Sequence, residues 1–278
     1  MKKIIFIAFS IGILSVNAQR VKLQPGGKIT ITAKSTTVSE KPAEMGGGEN
    51  KIESTTTGII NITGENKESY LGTFTGVRMI SLNGDGVGFD SDKKKDRESD
   101  FGKMMASNIN KAIDITVNKE DGSTSEKENK NAEPFVKEED DNNGHKKSTL
   151  NHSIKMTENI YENAFFIIPN EKKTGDKWTV DKSEGGMEII KKFELKSITE
   201  NIATIDFSSL RKGTYTNENN GVQMETFIDS KGKGTILVNR KTTLVKKITS
   251  STEVDGTMEI MGRSIPISKN ITSETIFE

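Results

Sequence analysis

The chain carries few side chains suited to covalent or metal chemistry. It has no cysteine, and His145 and His152 are its two histidines. That excludes a thiolate nucleophile and every cysteine-bearing zinc site. A Ser-His-acid triad has to recruit one of the two histidines. His152 neighbours Ser153, but adjacent residues on a helix point in different directions. His145 ends an acidic run, Glu138-Glu139-Asp140-Asp141-Asn142-Asn143-Gly144, whose oxygen donors suggest a cation. Glu139, Asp141, Asn143 and Gly144 match the first half of a calcium loop, but the position that needs glutamate is Leu150. The glycine-rich stretch Asn83-Gly84-Asp85-Gly86-Val87-Gly88 fails in the same way, with Lys94 at the closing position. Its third glycine also falls one place early for a dinucleotide fingerprint. Asp100-Phe101-Gly102 matches a kinase triplet without the other kinase elements. Gly-x-Ser-x-Gly and His-Glu-x-x-His are absent. The expectation is a protein that is not an enzyme, with no cofactor and no metal site. A carboxylate pair is the one catalytic arrangement that composition leaves open.

The elements that would carry any site are mostly strands. Lys28–Val38, Lys51–Thr63 and Tyr70–Leu82 alternate with a period of two and are rich in β-branched residues, so they predict a three-stranded meander. Gly58 interrupts the second of these and suggests a bulge. Ile113, Ile115 and Val117 make a further strand ending at Asp121-Gly122. Met187–Ile198 and Asn201–Phe207 form a hairpin around Thr199-Glu200-Asn201. The stretch Gly221–Glu278 reads as a closing meander. Thr226 and Ile228 share one face, Leu244 to Val254 alternate, and Ile265, Ile267, Ile271 and Phe277 share one parity. Lys231-Gly232-Lys233-Gly234 and Asp255-Gly256 read as its turns.

Two stretches predict helices. Asp92–Asn108, capped by Ser91 or Asp92, places Phe101, Met104 and Met105 on one stripe. Ser148–Asn163 is a weaker amphipathic candidate. Between them, residues 123–147 are rich in Glu, Lys, Asn and Asp and read as a long flexible loop. Ala164-Phe165-Phe166-Ile167-Ile168-Pro169 is the densest apolar run after the N-terminus and is expected to be buried. The lone Trp178 is expected to pack there.

Residues 1–18 read as a signal peptide. Lys2 and Lys3 precede an apolar run, Ile4–Leu14, that is too short to span a bilayer, and cleavage is placed between Ala18 and Gln19. No later stretch has the length and apolarity of a transmembrane helix, and no cysteine is available for lipid anchoring. The mature protein, residues 19–278, is therefore expected to be exported, soluble and periplasmic or extracellular. The formal net charge is zero, so no global basic field favours nucleic acid. With 32% hydrophobic and 29% charged residues, the composition fits a sheet with a large solvated face plus some disordered loops.

These features give one expected architecture. It is α+β but mainly β: a large curved antiparallel sheet, a half-barrel or open barrel, with one or two short helices on its concave face. Residues 19–278 are expected to form a single domain with a helical and flexible insert at about 91–163. The order Phe165–Pro169, then Gly175-Asp176-Lys177-Trp178, then a meander with Asp255-Gly256 and Met261-Gly262-Arg263-Ser264-Ile265-Pro266, resembles a family of exported, uncharacterised proteins common in the Bacteroidota. More distantly, the arrangement is similar to the lipoprotein-carrier half-barrels of the periplasm. That likeness implies an apolar or lipid-like ligand under the sheet, in a cleft lined by Phe101, Met104, Met105, Phe165, Phe166 and Trp178. The alternative expectation is an envelope-associated structural or protein-interaction module whose core is filled.

Overall fold

The computed structural model describes residues 19–40, 47–83, 88–99, 102, 112–128, 160–184, 186–219, 222–260 and 262–278. Its strands are β1 (Lys28–Glu40), β2 (Glu49–Glu65), β3 (Ser69–Asn83), β4 (Gly88–Asp90), β5 (Ala112–Asn118) and β6 (Thr124–Glu128), followed by β7 (Lys177–Glu184), β8 (Met187–Ile198), β9 (Ile202–Asn219), β10 (Val222–Asn239), β11 (Val245–Ile260) and β12 (Arg263–Phe277). They form one sheet in the order β6-β5-β3-β2-β1-β12-β11-β10-β9-β8-β7, with β4 added to β3. Every pairing is antiparallel. The sheet does not close into a barrel, and β6 and β7 are its edges among the described residues. The first and last strands meet at its centre, from Ile31 opposite Phe277 to Ser39 opposite Lys269. The strands before and after the insert thus share one sheet.

Alternation sorts each strand into two faces. On one face lie Ile29, Ile31, Ile60, Ile62, Tyr70, Phe74, Ile115, Val117, Leu195, Ile205, Ile236, Val238 and Phe277, all buried in a single cluster. Fully burying side chains of this size stabilises by about 1.5–3 kcal/mol each, which makes this face the main source of fold stability. The other face is polar, with Lys34 opposite Glu274 in register and Lys247 ion-paired diagonally to the same Glu274. Glycine adapts the core face to its largest rings. A Cβ at Gly58 would stand 2.5 Å from the Phe74 ring, and one at Gly234 would stand 2.7 Å from the Phe207 ring. Both rings lie against backbone that glycine leaves open, and at Gly234 the Thr249 carbonyl oxygen is closer still, 2.0 Å from that Cβ.

A strap crosses the core face. Tyr161 stacks at 4.6 Å on Phe74 of β3. Ala164 C=O accepts from Val245 N–H at 2.9 Å, and Phe166 N–H donates to Thr243 C=O at 3.0 Å. Phe165 bridges Leu244, and Phe166 meets Phe193 of β8 at 5.3 Å. The dense apolar run therefore spans the sheet from one wing to the other. The N-terminal segment locks its end, where Ile168 N–H donates to Gln19 Oε1 at 3.3 Å.

Several expectations need correction. Within the first helix candidate the structure describes α1 (Lys94–Glu98), which buries no residue, and helical backbone at Gly102, while residues 100, 101 and 103–108 lie outside the described residues. Neither Ser91 nor Asp92 caps α1, since Lys93 holds the cap position and no side chain bonds there. Ser91 Oγ accepts instead from Met79 N–H at 2.9 Å, tying the α1 approach to β3. The flexible loop expected from residue 123 begins with a strand, β6. The remainder of that loop and most of the second helix candidate, residues 129–159, lie outside the described residues. Lys231–Gly234 is not a turn: β10 runs through it, paired to both neighbours. Asp255-Gly256 likewise lies inside β11, and the chain reverses at Gly262, whose φ is +75°. The suggested bulge is present, as a register shift between Thr57 and Gly58.

Candidate functional site

The residues expected to line an apolar cleft divide into two groups. Phe101, Met104 and Met105 lie outside the described residues. Phe165, Phe166 and Trp178 are brought together, but as packing. Phe165 is buried, and Phe166 and Trp178 pack against the same cluster. Trp178 stacks on Phe193 at 5.3 Å with 21° between the rings. Phe166 closes the triangle, 6.4 Å from Trp178 and 5.3 Å from Phe193, and Phe207 extends it at 6.5 Å. Such tilted and stacked contacts fill space that a ligand would need. A cavity beside them, walled by Ile168, Pro169, Leu195 and Arg240, holds only about 20 Å³. Of the two residues at the expected cleavage point, Ala18 lies outside the described residues, while Gln19 is seated against Ile168.

The packed cluster covers one end of the core face. Along β1, β12 and β11 the next rows are hydroxyls. Ser35 and Ser54 share a hydrogen bond of 2.7 Å, as do Ser250 and Ser273. These small side chains satisfy one another across strands and leave the surface low. Beyond them the same face carries apolar side chains around one cation: Ile228 on β10, Val254 and Met258 on β11, and Ile265, Ile267 and Ile271 on β12 are half-buried, and Lys269 stands between Ile267 and Ile271, opposite Val254. In register, Gly256 stands between Ile228 and Ile267, so the strip has a floor without a side chain. No residue of the described core cluster packs over it. Parity groups such residues strand by strand, but nothing in the sequence separates the rows under the described core cluster from those beyond it.

Electrostatics in the described residues is local and structural. Arg78 pairs with Asp90 at 3.0 Å and with Asp92 at 3.0 Å, and the Arg78 guanidinium holds the Asp90 carboxyl below its usual range. Lys247 does the same to Glu274 from 2.5 Å on the polar face. The Tyr161 hydroxyl is pushed above the usual phenol range, first by burial and then by the Glu126 carboxylate of β6. Among the described residues no group of three His, Asp or Glu side chains is placed to hold a metal. His145 and His152 lie outside them. A shallow depression of about 700 Å³ is lined by Arg20, Lys22, Gln24, Arg240 and Lys241. Its cations are partly engaged: Arg20 pairs with Glu120 at 2.9 Å, and Arg240 donates to Thr199 C=O at 2.8 Å.

No curated protein matches the chain. Among solved structures, an outer membrane channel from Pseudomonas putida F1 is 7% identical, with coverage of 94% of this chain and 98% of the channel and a TM-score of 0.23. OpdQ from Pseudomonas aeruginosa is 6% identical, with coverage of 90% and 98% and a TM-score of 0.23. A mutant of Rh. blastica porin is 8% identical, with coverage of 90% and 99% and a TM-score of 0.22. Likeness at these scores carries no argument about function. More than half of the chain, residues 73–245, matches one family model, and the protein belongs to that family of unknown function, DUF6263.

Proposed function

We propose that this chain is an exported, non-enzymatic binding protein that takes an apolar, lipid-like ligand on the outlying strip of its core face. One observation carries the reading. Ile228, Val254, Met258, Ile265, Ile267 and Ile271 lie half-buried on the face that builds the core, over the bare backbone of Gly256. Apolar side chains gathered around Lys269 and beside a self-satisfied hydroxyl row suit an acyl chain with an anionic head better than a sugar ligand. The resemblance to periplasmic lipoprotein carriers points the same way. The expected lining moves accordingly, away from Phe165, Phe166 and Trp178.

Titrating residues 19–278 with a fluorescent fatty acid tests this. Saturable binding is expected, weakened at least about tenfold by Ile267→Glu, because a charge on that strip opposes desolvation. Non-saturable uptake, or equal binding by Ile267→Glu, refutes it. The second reading is an envelope-associated protein-interaction module, favoured by the filled aromatic cluster around Trp178 and Phe193. It expects a specific partner protein from envelope extract and no lipid extractable from the purified chain.

A further inference from the structure

The edge strand β7 carries a second feature that ligand binding does not use. Its sequence is Lys177-Trp178-Thr179-Val180-Asp181-Lys182-Ser183-Glu184. The hydrogen-bond phase of this strand follows from its entry. Leu195 N–H donates to Asp176 C=O at 3.0 Å, and Gly175 N–H donates to Leu195 C=O at 2.7 Å. Asp176 therefore faces β8, and in an antiparallel ladder every second residue does the same. Lys177, Thr179, Asp181 and Ser183 then direct their N–H and C=O groups away from the sheet. An independent contact agrees: Lys177 C=O accepts from the Lys172 side chain at 3.4 Å rather than from β8. Among the described residues β7 pairs only with β8.

We propose that this edge pairs with the β7 edge of a second copy of the chain, antiparallel, about a two-fold axis at Thr179. In that register Thr179 meets its own copy, Lys177 lies opposite Asp181 twice, and Trp178 lies opposite Val180 twice. The first pairing matches opposite charges on the polar face, where the Lys177 ammonium, 3.5 Å from Glu194 of its own chain, is shared with the partner's Asp181. The second covers Val180, which is 50% exposed and the most exposed large apolar residue described. Neighbouring registers lack this match. An axis at Val180 sets Lys177 against Ser183, one at Asp181 sets that carboxylate against itself, and one at Trp178 sets Val180 against Asp176. Charges on an edge ordinarily discourage pairing. Here they permit one register and penalise the others.

The test uses residues 19–278. Sedimentation equilibrium of this chain is expected to show a reversible dimer. Thr179→Pro removes an N–H that the chain's own sheet does not use, so it is expected to give a monomer with unchanged far-ultraviolet circular dichroism. Lys177→Asp is expected to weaken the dimer about tenfold, and adding Asp181→Lys to restore it. The chain has no cysteine of its own, so single cysteines report the register. Paired residues with edge-facing groups have Cα atoms about 5.5 Å apart, within disulfide reach. Thr179→Cys is therefore expected to oxidise to a covalent dimer and Ser183→Cys is not. A chain that stays monomeric overturns the proposal, and that includes the case in which a foreign peptide occupies the edge. So does a dimer that survives Thr179→Pro, or faster crosslinking through Ser183→Cys.

Discussion

Phe277→Ala tests whether the two wings of the sheet form one cooperative unit. Phe277 is the last strand residue and is 1% exposed. It lies opposite Ile31, at 0% exposure, on the strand pair that joins the wings. Truncating a buried phenylalanine costs about 3–5 kcal/mol, from lost transfer and from the cavity left behind. Little can collapse into that cavity, because Ile31 is held by β2 on its other side. For a domain of this size each kcal/mol shifts the melting temperature by about 2–4 °C, so a fall of roughly 10 °C is expected. The lone Trp178 sits on edge strand β7 and reports that end by fluorescence, while far-ultraviolet circular dichroism reports every strand. Both probes are expected to shift together in urea and in heat. A loss under about 1 kcal/mol, or two separated transitions, refutes the reasoning. Removing all residues from Arg263 onward deletes β12 and exposes both β1 and β11 as edges, so no cooperative melt is expected.

Gly234→Ala places a methyl group 2.0 Å from the Thr249 carbonyl oxygen and 2.7 Å from the Phe207 ring, so a loss of about 1–3 kcal/mol in urea is expected; unchanged stability means that β11 and the ring do not pass so close there. Tyr161→Phe concerns alkaline pH. The folded chain holds the Tyr161 hydroxyl above its ordinary value, so its neutral form contributes stability that is fully present below about pH 10 and is lost as pH rises further. The phenylalanine variant is expected to lose less stability between about pH 9 and 11 than the parent does, and parallel losses contradict the assignment.

The faces of the strands were legible and their partners were not. A period of two put Ile29 and Ile31, or Ile265, Ile267 and Phe277, on one side whatever lay beside them. Nothing local says that β1 pairs with β12, because that contact joins residues at opposite ends of the chain. The glycines misled for a physical reason. Glycine marks a turn when it supplies a left-handed φ, as at Gly262. At Gly232 it instead makes room for the Ser209 and Thr252 hydroxyls, with a Cβ falling 2.5 Å from Ser209 Oγ. Strand β6 was missed because Thr124–Glu128 contains no apolar residue. An edge strand needs only backbone bonds to β5, and charge protects it. The aromatic residues were recognised as important, but composition does not distinguish a lined cavity from a filled one.

The topology also explains why the apolar run Phe165–Ile168 exists. With β1 and β12 at the centre, the two edges are formed by β6 and β7, which are consecutive strands among the described residues. The connection between them has to travel from one edge of the sheet to the other. A polar connection would leave the core face wet along that path. The described part of the connection runs from Tyr161 on Phe74 to Phe166 on Trp178 and replaces that water with side chains. It also donates and accepts backbone hydrogen bonds at Thr243 and Val245 as it passes the centre. The strap thus touches both wings and the middle. Its described part covers the rows around Phe74, Val245 and Phe193. The hydroxyl and apolar rows beyond that part belong to strands longer than the described core requires, and that excess length creates the strip on which binding is proposed.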